Sequence, residues 1–379
     1  MKVKTVEGRR AARGLYEAAM RRVVEFWFRP PGSMSRNPAS AILAAASGMY
    51  GKGLARDQTR ARRRQVKLPV PVVSIGNIVA GGTGKTPLVL WLCRFLEDIG
   101  RHPAILSRGY GRTGTGASRV PSSGQQGAMS EMFGDEPVLL AGALPSTPVW
   151  VGRDRGVSGK AALAEGADVL VLDDGFQHLA LGRDLDIVLL DSRHPFGNGM
   201  LLPSGPLREP ISHLARGDLF VLTHAEACGA GEVKALIEDL FPDKPVFSCR
   251  HRTSGIRLPG LPSLEPRLLA GRRCVAFAGI AQPGQFFRSL EDAGIEVCEG
   301  ISFPDHYRYR DRDLDRVIGT AGEHRAEFIV TTAKDAVRVP GPYRELVAVL
   351  DIDIDFGSDH DRFRRFVASR FDLGDAVRK

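Results

Sequence analysis

Cysteine is scarce in this 379-residue chain: Cys93, Cys228, Cys249, Cys274 and Cys298 are scattered, with no C-x-x-C pair. That spacing excludes a disulfide framework and a cysteine-based zinc site, and it suits a reducing cytoplasm. Long apolar runs are missing too. No stretch of 18 or more apolar residues exists, so a transmembrane helix is not expected. The run Ala41–Gly48 mimics a signal-peptide core, but Pro30, Pro31 and Pro38 lie among the residues before it, and export is not expected. No internal repeat is visible. Acidic residues are sparse at one end only. Residues 1–67 hold 4 Asp and Glu against 16 Lys and Arg, a net of +12, so the other 312 residues carry −4 of the whole-chain +8. The basic character belongs to the N-terminal segment, which should face an anionic membrane surface or a nucleic acid.

What is present begins with that segment. From Leu15 to Arg29 the pattern is helical. Leu15, Tyr16, Ala19, Met20, Val23, Phe26 and Trp27 fall within an arc of about 140°, and Glu17, Arg21, Arg22, Glu25 and Arg29 lie opposite. Pro30-Pro31-Gly32 ends it. A second apolar segment, Ala39–Tyr50, leads into the basic run Arg56–Lys67. The combination fits a helix lying in a bilayer interface, and equally a helix packed on its own domain with solvated arginines.

Between Pro69 and Leu92 (PVPVVSIGNIVAGGTGKTPLVLWL) the chain reads as strand, glycine-rich turn and helix. Backbone N–H groups of such a turn, here Val79, Ala80, Gly81, Gly82, Thr83 and Gly84, can wrap phosphate oxygens at a helix N-terminus. Lys85 would reach the outer phosphates of a nucleotide, and the Thr86 hydroxyl would ligate Mg²⁺. Val79 departs from the strict pattern, which asks for glycine there.

Apolar β-like runs then alternate with helical ones. Strands are expected to end at Ser107, Asp173, Asp191 and near Thr223. This rhythm predicts an α/β fold with a doubly wound, mostly parallel sheet and ligands at the strand C-termini. Residues 113–130 are expected to be a Gly/Ser-rich loop or weak hairpin. A proline-rich interval around 255–268 suggests a junction to a smaller α/β unit, with a strand at RRCVAFAGI, a helix over Gln282–Ala293 and a strand near Ile295–Glu299. EFIVTTAKD and the alternating strand LVAVLDIDIDF follow, and the three Asp residues of the latter read as a solvated strand face. The expected organisation is 1–67 as a basic interface segment, 68–254 as a nucleotide-binding core and 255–379 as a second domain.

A phosphate loop implies only that a nucleotide binds; phosphoryl transfer also needs carboxylates and cations. Asp173 and Asp174 end an apolar strand, where doubled acids are costly without a cation, and Gln177 and His178 follow. Asp191 is the rival, and it can equally cap the next turn. In Gly134-Asp135-Glu136-Pro137, one carboxylate could take a substrate proton while the other helps hold Mg²⁺; the same residues could simply start a helix. His306 sits in the restricted turn Phe303-Pro304-Asp305-His306-Tyr307, where a structural role is the alternative. Arg108 and Arg112 lie in a glycine-rich loop suited to phosphate recognition; Arg153, Arg155 and Arg208 are further candidate cations, each of which taken singly reads as a solvated surface arginine. Thr332-Ala333-Lys334-Asp335 has its lysine displaced by one position from a guanine-specificity loop, which lowers a GTPase reading.

The ordered set SIGNIVAGGTGKTP, SRGYGR, GDEP, LDDGFQH, LLPSGPLREP, FAGIAQPGQFF, FPDHY and TTAKDAVR resembles the tetraacyldisaccharide 4′-kinase family, the lipid A 4′-kinases of Gram-negative bacteria. The resemblance runs from about Phe26 to about Asp351, and the family's loop shares the non-glycine at the Val79 position. It implies a P-loop NTPase-like fold with a second, smaller α/β domain and a membrane-seated N-terminal helix. It also implies transfer of the γ-phosphoryl of ATP, with Mg²⁺, to the 4′-hydroxyl of tetraacyldisaccharide 1-phosphate. Matched motif to motif, Asp135 and His306 become the carboxylate–histidine dyad that activates the hydroxyl, and Lys85 the cation on the transferring group. Glu136, Asp173 and Asp174 become the magnesium and water organisers, without a choice among them. Arg108, Arg112, Gln177 and Arg208 are the residues expected to meet the substrate. The expected location is peripheral, at the cytoplasmic face of the inner membrane, with no nucleic-acid partner and no obligate protein partner. Two readings from other classes stand beside it: a P-loop switch or metallochaperone, and a nucleic-acid-dependent ATPase using the basic N-terminus.

Overall fold

The computed structural model describes residues 26–28, 38–110, 112, 114–123 and 126–371. Apart from Phe26–Phe28, the amphipathic helix expected over Leu15–Arg29 lies outside them. Trp27, assigned to its apolar face, donates its indole N–H to Pro203 O at 2.9 Å, and Phe28 packs against His194. The apolar segment and the basic run that follow form one helix, α1 (Pro38–Arg63). Its inner face is tied down by hydrogen bonds that include Ser47 Oγ to Leu201 O, Tyr50 OH to Arg208 O and Gln58 Nε2 to Glu209 Oε2. No helix among the described residues is long and apolar enough to cross a membrane.

Eight strands make the first sheet: β1 (Val72–Gly76), β2 (Pro103–Ser107), β3 (Ser118–Val120), β4 (Val149–Val151), β5 (Val169–Asp173), β6 (Leu185–Asp191), β7 (Leu219–Thr223) and β8 (Val246–Ser248). Their order is β3-β4-β2-β5-β1-β6-β7-β8, and every neighbouring pair is parallel except β3–β4. The strands expected to end at Ser107, Asp173, Asp191 and Thr223 do so. β1, β2, β5 and β7 are buried at every position, because helices cover both faces and leave no polar side to alternate with. These helices are α2 (Lys85–Asp98), α3 (Gln126–Phe133), α4 (Asp135–Ala143), α5 (Arg155–Ala164) and α6 (Ala230–Leu240). One core places Leu88, Leu92 and Phe95 of α2 under Val138 and Leu140 of α4, against Val73 and Ile75. The opposite face carries Val72, Leu106, Leu170 and Leu172. The segment read as a loop or weak hairpin over 113–130 is more ordered than that: β3 adds an antiparallel edge strand and α3 follows. Its Gly and Ser content hid a helix whose Met129 and Phe133 pack on the first core.

The second sheet has six strands: β9 (Arg250–Arg257), β10 (Ser263–Leu264), β11 (Arg273–Ala278), β12 (Glu296–Ser302), β13 (Phe328–Thr332) and β14 (Val347–Asp355), in the order β10-β9-β14-β13-β11-β12. β11, β12, β13 and β14 pair in parallel, and β9 runs antiparallel to β14. With it come α7 (Pro283–Asp292), α8 (Asp311–Glu323), the single turns α9 (Ala333–Ala336) and α10 (Gly341–Arg344), and α11 (His360–Ser369). β9 enters this sheet at Arg250, directly after β8, and α11 returns to the first sheet. There Phe363, fully buried, packs between Trp91, Phe247 and Phe356, a burial that contributes about 2 kcal/mol. The acids of β14 are paired rather than merely solvated: Asp351 with Arg257, Asp353 with Arg94 of α2 and Asp355 with Arg250.

Candidate active site

The glycine-rich turn joins β1 to α2 with Gly84 at its last position, in the left-handed region at φ 79°. A Cβ there would lie 2.4 Å from His251 Nε2, so both backbone and space require glycine. Val79 has no such constraint. It is buried among Ile78, Phe176 and Leu207 and pairs with Leu207 across an antiparallel bridge, which is why a β-branched residue fits where the strict pattern has glycine. Ala80 N–H donates to Pro206 O at 2.7 Å and Arg208 N–H to Ile78 O at 2.7 Å, so residues 206–208 brace the entry of the turn. Fully buried Asn77 braces it from inside: its Nδ2 donates to Val79 O at 2.7 Å and to Thr83 Oγ1 at 2.9 Å. Its Oδ1 accepts from Lys85 Nζ at 3.4 Å. Gly81 and Gly82 are open to solvent and Thr86 is half-buried in the first turn of α2.

Beside this turn stand the acids that end β5. Asp173 is buried and accepts from Ser107 Oγ at 3.2 Å. Asp174 follows at φ 52°, a strained conformation for a non-glycine residue, and faces Lys85 at 3.5 Å and Arg208 at 2.7 Å. Burial opposes ionisation of Asp174, but Lys85 and Arg208 outweigh it and hold the carboxyl down at about 2. Asp173 is pushed the other way, up to about 7, by burial and by the negative charges of Glu136 and Asp174, against Lys85 and the Ser107 hydroxyl. The nearby cations thus pair with Asp174 and Glu136, and among the described residues the buried Asp173 keeps only the Ser107 hydroxyl within hydrogen-bond reach. Asp191, the rival, is committed elsewhere: it accepts from the Arg193 guanidinium at 2.5 and 2.8 Å and caps the turn through Arg193 N–H.

Asp135 and Glu136 occupy the first turn of α4, entered through Gly134 at φ 95°. A Cβ on Gly134 would meet Tyr110 O at 2.8 Å, so the glycine lets the SRGYGR loop close over this helix start. Residues 171 positions away, in the second sheet's FPDHY turn, meet it: His306 Nδ1 lies 3.2 Å from Asp135 Oδ2. His306 itself is held at φ 56°. Ser130 Oγ donates to Asp135 Oδ1, and Arg338 Nε lies 3.5 Å from Oδ2. Burial alone would push the Asp135 carboxyl up; hydrogen bonds from His306 and Ser130 and the Arg338 charge outweigh it and hold it below the usual carboxylate range. Lys334 Nζ reaches Glu136 at 3.4 Å, and Arg308 reaches Glu131 at 2.7 Å. The two sheets therefore meet at the N-terminus of α4, across which a hydroxyl and a phosphoryl group could be brought together.

The remaining residues singled out from sequence are distributed around this cleft. Arg108 is exposed at the end of β2. The Arg112 guanidinium donates to Val151 O and Gly116 O and so shapes its own loop. Gln177 Nε2 donates to Asn77 O at 2.8 Å, and its Oε1 accepts from Arg208 at 3.5 Å. Arg155 is buried and its Nη1 donates to Arg153 O. Sequence reasoning assigned no role in this site to Asn77, Ser107, Ser130, Lys334 or Arg338. Among them only Asn77 and Ser107 carry a local signal, a polar residue at the end of a buried strand.

A divalent cation fits this donor set, since the buried carboxylate of Asp173 has no cationic partner among the described residues and is what a cation would neutralise. The described residues contain no ready cluster of three or more His, Cys, Asp or Glu able to hold a metal by themselves. Such a cation would take part of its shell from phosphate oxygens and water, as Mg²⁺ commonly does. The same imbalance predicts a pH-dependent gain in stability on neutralising Asp173. Its folded pKa, about 7, lies above the unfolded value of about 3.9, so its stability cost grows as pH rises between the two and is complete above pH 7. In EDTA, Asp173→Asn is expected to stabilise the protein against urea, more at pH 8 than at pH 5 by roughly 2 kcal/mol. An equal gain at both pH values, or a loss at pH 8, would contradict the burial of an uncompensated charge.

Comparison with known proteins gives concordant results. A family model described as tetraacyldisaccharide-1-P 4′-kinase matches residues 39–372. The tetraacyldisaccharide 4′-kinase of Syntrophobacter fumaroxidans is 46% identical over 360 residues, covering 93% of this chain and 94% of that protein. That of Gluconobacter oxydans is 41% identical over 337 residues, with 88% and 94% covered. Among solved structures, the "apo" form of LpxK from Aquifex aeolicus in complex with ATP superposes with a TM-score of 0.69 at 32% identity, covering 88% of this chain and 99% of that one.

Proposed function

The chain belongs to the tetraacyldisaccharide 4′-kinase family, and from that premise we propose how its residues carry the reaction. The activity is ATP-dependent transfer of the γ-phosphoryl group to the 4′-hydroxyl of tetraacyldisaccharide 1-phosphate, giving lipid IVA in lipid A biosynthesis. The observation that carries the residue-level reading is the meeting of Asp135 and His306 across the two sheets, next to the acids and lysine of a P-loop.

Residues 79–86 cradle the phosphates of ATP, with Lys85 neutralising charge on the transferring group. Lys85 is held in place by Asn77 and Asp174. Thr86 together with acids drawn from Glu136, Asp173 and Asp174 would hold Mg²⁺, which would supply positive charge to the transferring phosphoryl group. Asp135 is the proton acceptor for the sugar hydroxyl. A hydroxyl is far too weak an acid to lose its proton first, so Asp135 accepts it late, as the bond to phosphorus forms. His306 fixes the accepting oxygen and stabilises the charge arrangement around it, much as a buried carboxylate orients a histidine in a triad. Arg108, Arg112, Gln177 and Arg208 lie around the cleft where the disaccharide phosphate would enter. In this division of labour the first sheet, with α11 packed on it, forms the kinase core and the second sheet the closing unit, and closure completes the site when substrate is present.

The lipid acceptor explains the outward face of α1. At about 100° per residue, Ile42, Met49, Arg56, Arg60 and Arg63 fall within about 60° of one another, and all are exposed. An apolar half followed by a cationic half suits the headgroup boundary of an anionic membrane, and we place the enzyme peripherally on the cytoplasmic face of the inner membrane. Deleting residues 1–67 is expected to abolish sedimentation with anionic liposomes, and the double variant Ile42→Glu/Met49→Glu to weaken it; unchanged sedimentation of both would exclude docking through this segment. The activity itself is tested with purified protein, γ-³²P-labelled ATP and the disaccharide 1-phosphate in detergent micelles with Mg²⁺. Label should move into the lipid. Label released only as free phosphate, with turnover stimulated by nucleic acid or another protein, would overturn the assignment.

A further inference from the structure

Arg338 follows α9 on the second sheet and its side chain is 3% exposed. Every described partner of its guanidinium belongs to the Asp135–His306 arrangement or to the residues that frame it. Nε lies 3.5 Å from Asp135 Oδ2, the same oxygen that faces His306 Nδ1, and donates to Lys334 O at 3.3 Å. Nη1 donates to Tyr307 O, the carbonyl next after His306, at 3.1 Å. Nη2 donates at 3.3 Å to Gly279 O, which also accepts the backbone N–H of His306 at 3.1 Å. The fork is itself locked: Nη2 donates to Asp335 Oδ1 at 2.9 Å, and Asp335 also accepts from Gly279 N–H, Tyr309 OH and Thr332 Oγ1.

We propose that Arg338 is a positioning residue that sets Asp135 and His306 in register across the two sheets, an inference that rests on reading that pair as the hydroxyl-activating dyad. Three arguments support it. Asp335 is fully buried and already supplies the counter-charge that a buried guanidinium requires, so the contact with Asp135 is not needed for neutralisation. His306 is held at a positive φ, a conformation that costs about 1 kcal/mol or more and persists only where neighbours over-determine it. Arg338 supplies that constraint on both sides, through Gly279 O before the turn and Tyr307 O after it. Finally, one planar group with five donors fixes both the imidazole-bearing backbone and the carboxylate, which a lysine cannot do. Within the TTAKDAVR segment, Asp335 thus orients Arg338, and Arg338 orients the dyad.

A double-mutant cycle in the full-length enzyme tests this. Arg338→Met is expected to lower kcat for lipid phosphorylation roughly 30-fold or more, with KM for ATP within about threefold, and Arg338→Lys to fall between it and wild type. In a His306→Ala background, Arg338→Met should cost less than about threefold further, because the geometry it maintains is already lost. Partial recovery of Arg338→Gly by added guanidinium, and not by equal sodium chloride, is also expected. The same loss factor in both backgrounds, or unchanged kcat in Arg338→Met, would overturn the proposal and leave Arg338 as a fold-stabilising residue. If Arg338→Met does not fold cooperatively, Arg338→Lys taken through the same cycle decides. His306→Ala alone reports on the dyad separately: wild-type turnover in that variant removes the dyad whatever Arg338 does.

Discussion

Asp135→Asn is expected to lower kcat for lipid phosphorylation by roughly 10²- to 10³-fold while leaving ATP affinity within about threefold. Asparagine keeps the size of the side chain and can still accept from Ser130, so the helix start and the fold should persist. What it loses is the charge and the basic oxygen that His306 and Arg338 face. The effect should fall on kcat rather than on KM for ATP, because Asp135 belongs to the acceptor side of the cleft. His306→Ala is expected to cost about 10²-fold and, combined with Asp135→Asn, to add little, since residues acting as a unit are not additive. Wild-type turnover in Asp135→Asn would remove this carboxylate from the mechanism.

Gly84→Val is expected to weaken ATP binding by roughly 100-fold or more. Valine at φ 79° is strained by the clash of its branched side chain with the backbone, and its Cβ would fall 2.4 Å from His251 Nε2. Relieving both forces the turn to move, and backbone N–H groups then no longer converge on the phosphates. Losing two charge-assisted hydrogen bonds of about 1.5 kcal/mol each accounts for the factor. Adding His251→Ala to Gly84→Val removes the clash but not the strained φ, so it should restore part of the affinity and not all. Titration calorimetry with ATP measures both variants. Unchanged affinity in Gly84→Val would contradict the assignment of residues 79–86 to the phosphates.

The parts legible in the sequence are those where one physical cause acts locally. Strand ends at Ser107, Asp173, Asp191 and Thr223 could be read because an apolar run stops abruptly at a polar residue where the sheet meets solvent or a site. The phosphate turn could be read because its glycines, lysine and threonine lie within a few residues. The helix Gln126–Phe133 could not, since Gly and Ser mask a short amphipathic pattern that tertiary packing of Met129 and Phe133 completes. Within the site, Asp135 and His306 stood out only when several motifs were taken together, because the two are 171 positions apart and neither motif alone excludes a structural role. Lys334 and Arg338 were illegible for the same reason. Locally, Thr332-Ala333-Lys334-Asp335 invites comparison only with a guanine loop, whose lysine it misplaces, and nothing there tells that Lys334 and Arg338 reach back to Glu136 and Asp135. Gln177 and Arg208 show the converse. The family resemblance implies that both face substrate, and here they also hold Asn77 and Asp174 in place.

Phosphorus NMR of the lipid recovered after incubation with this enzyme, Mg²⁺ and ATP tests the central claim most directly. The account predicts a second phosphate monoester resonance, coupled to the proton at the 4′ position of the distal sugar, with one equivalent of ATP converted to ADP. A lipid that keeps its single 1-phosphate resonance while ATP is consumed would contradict it.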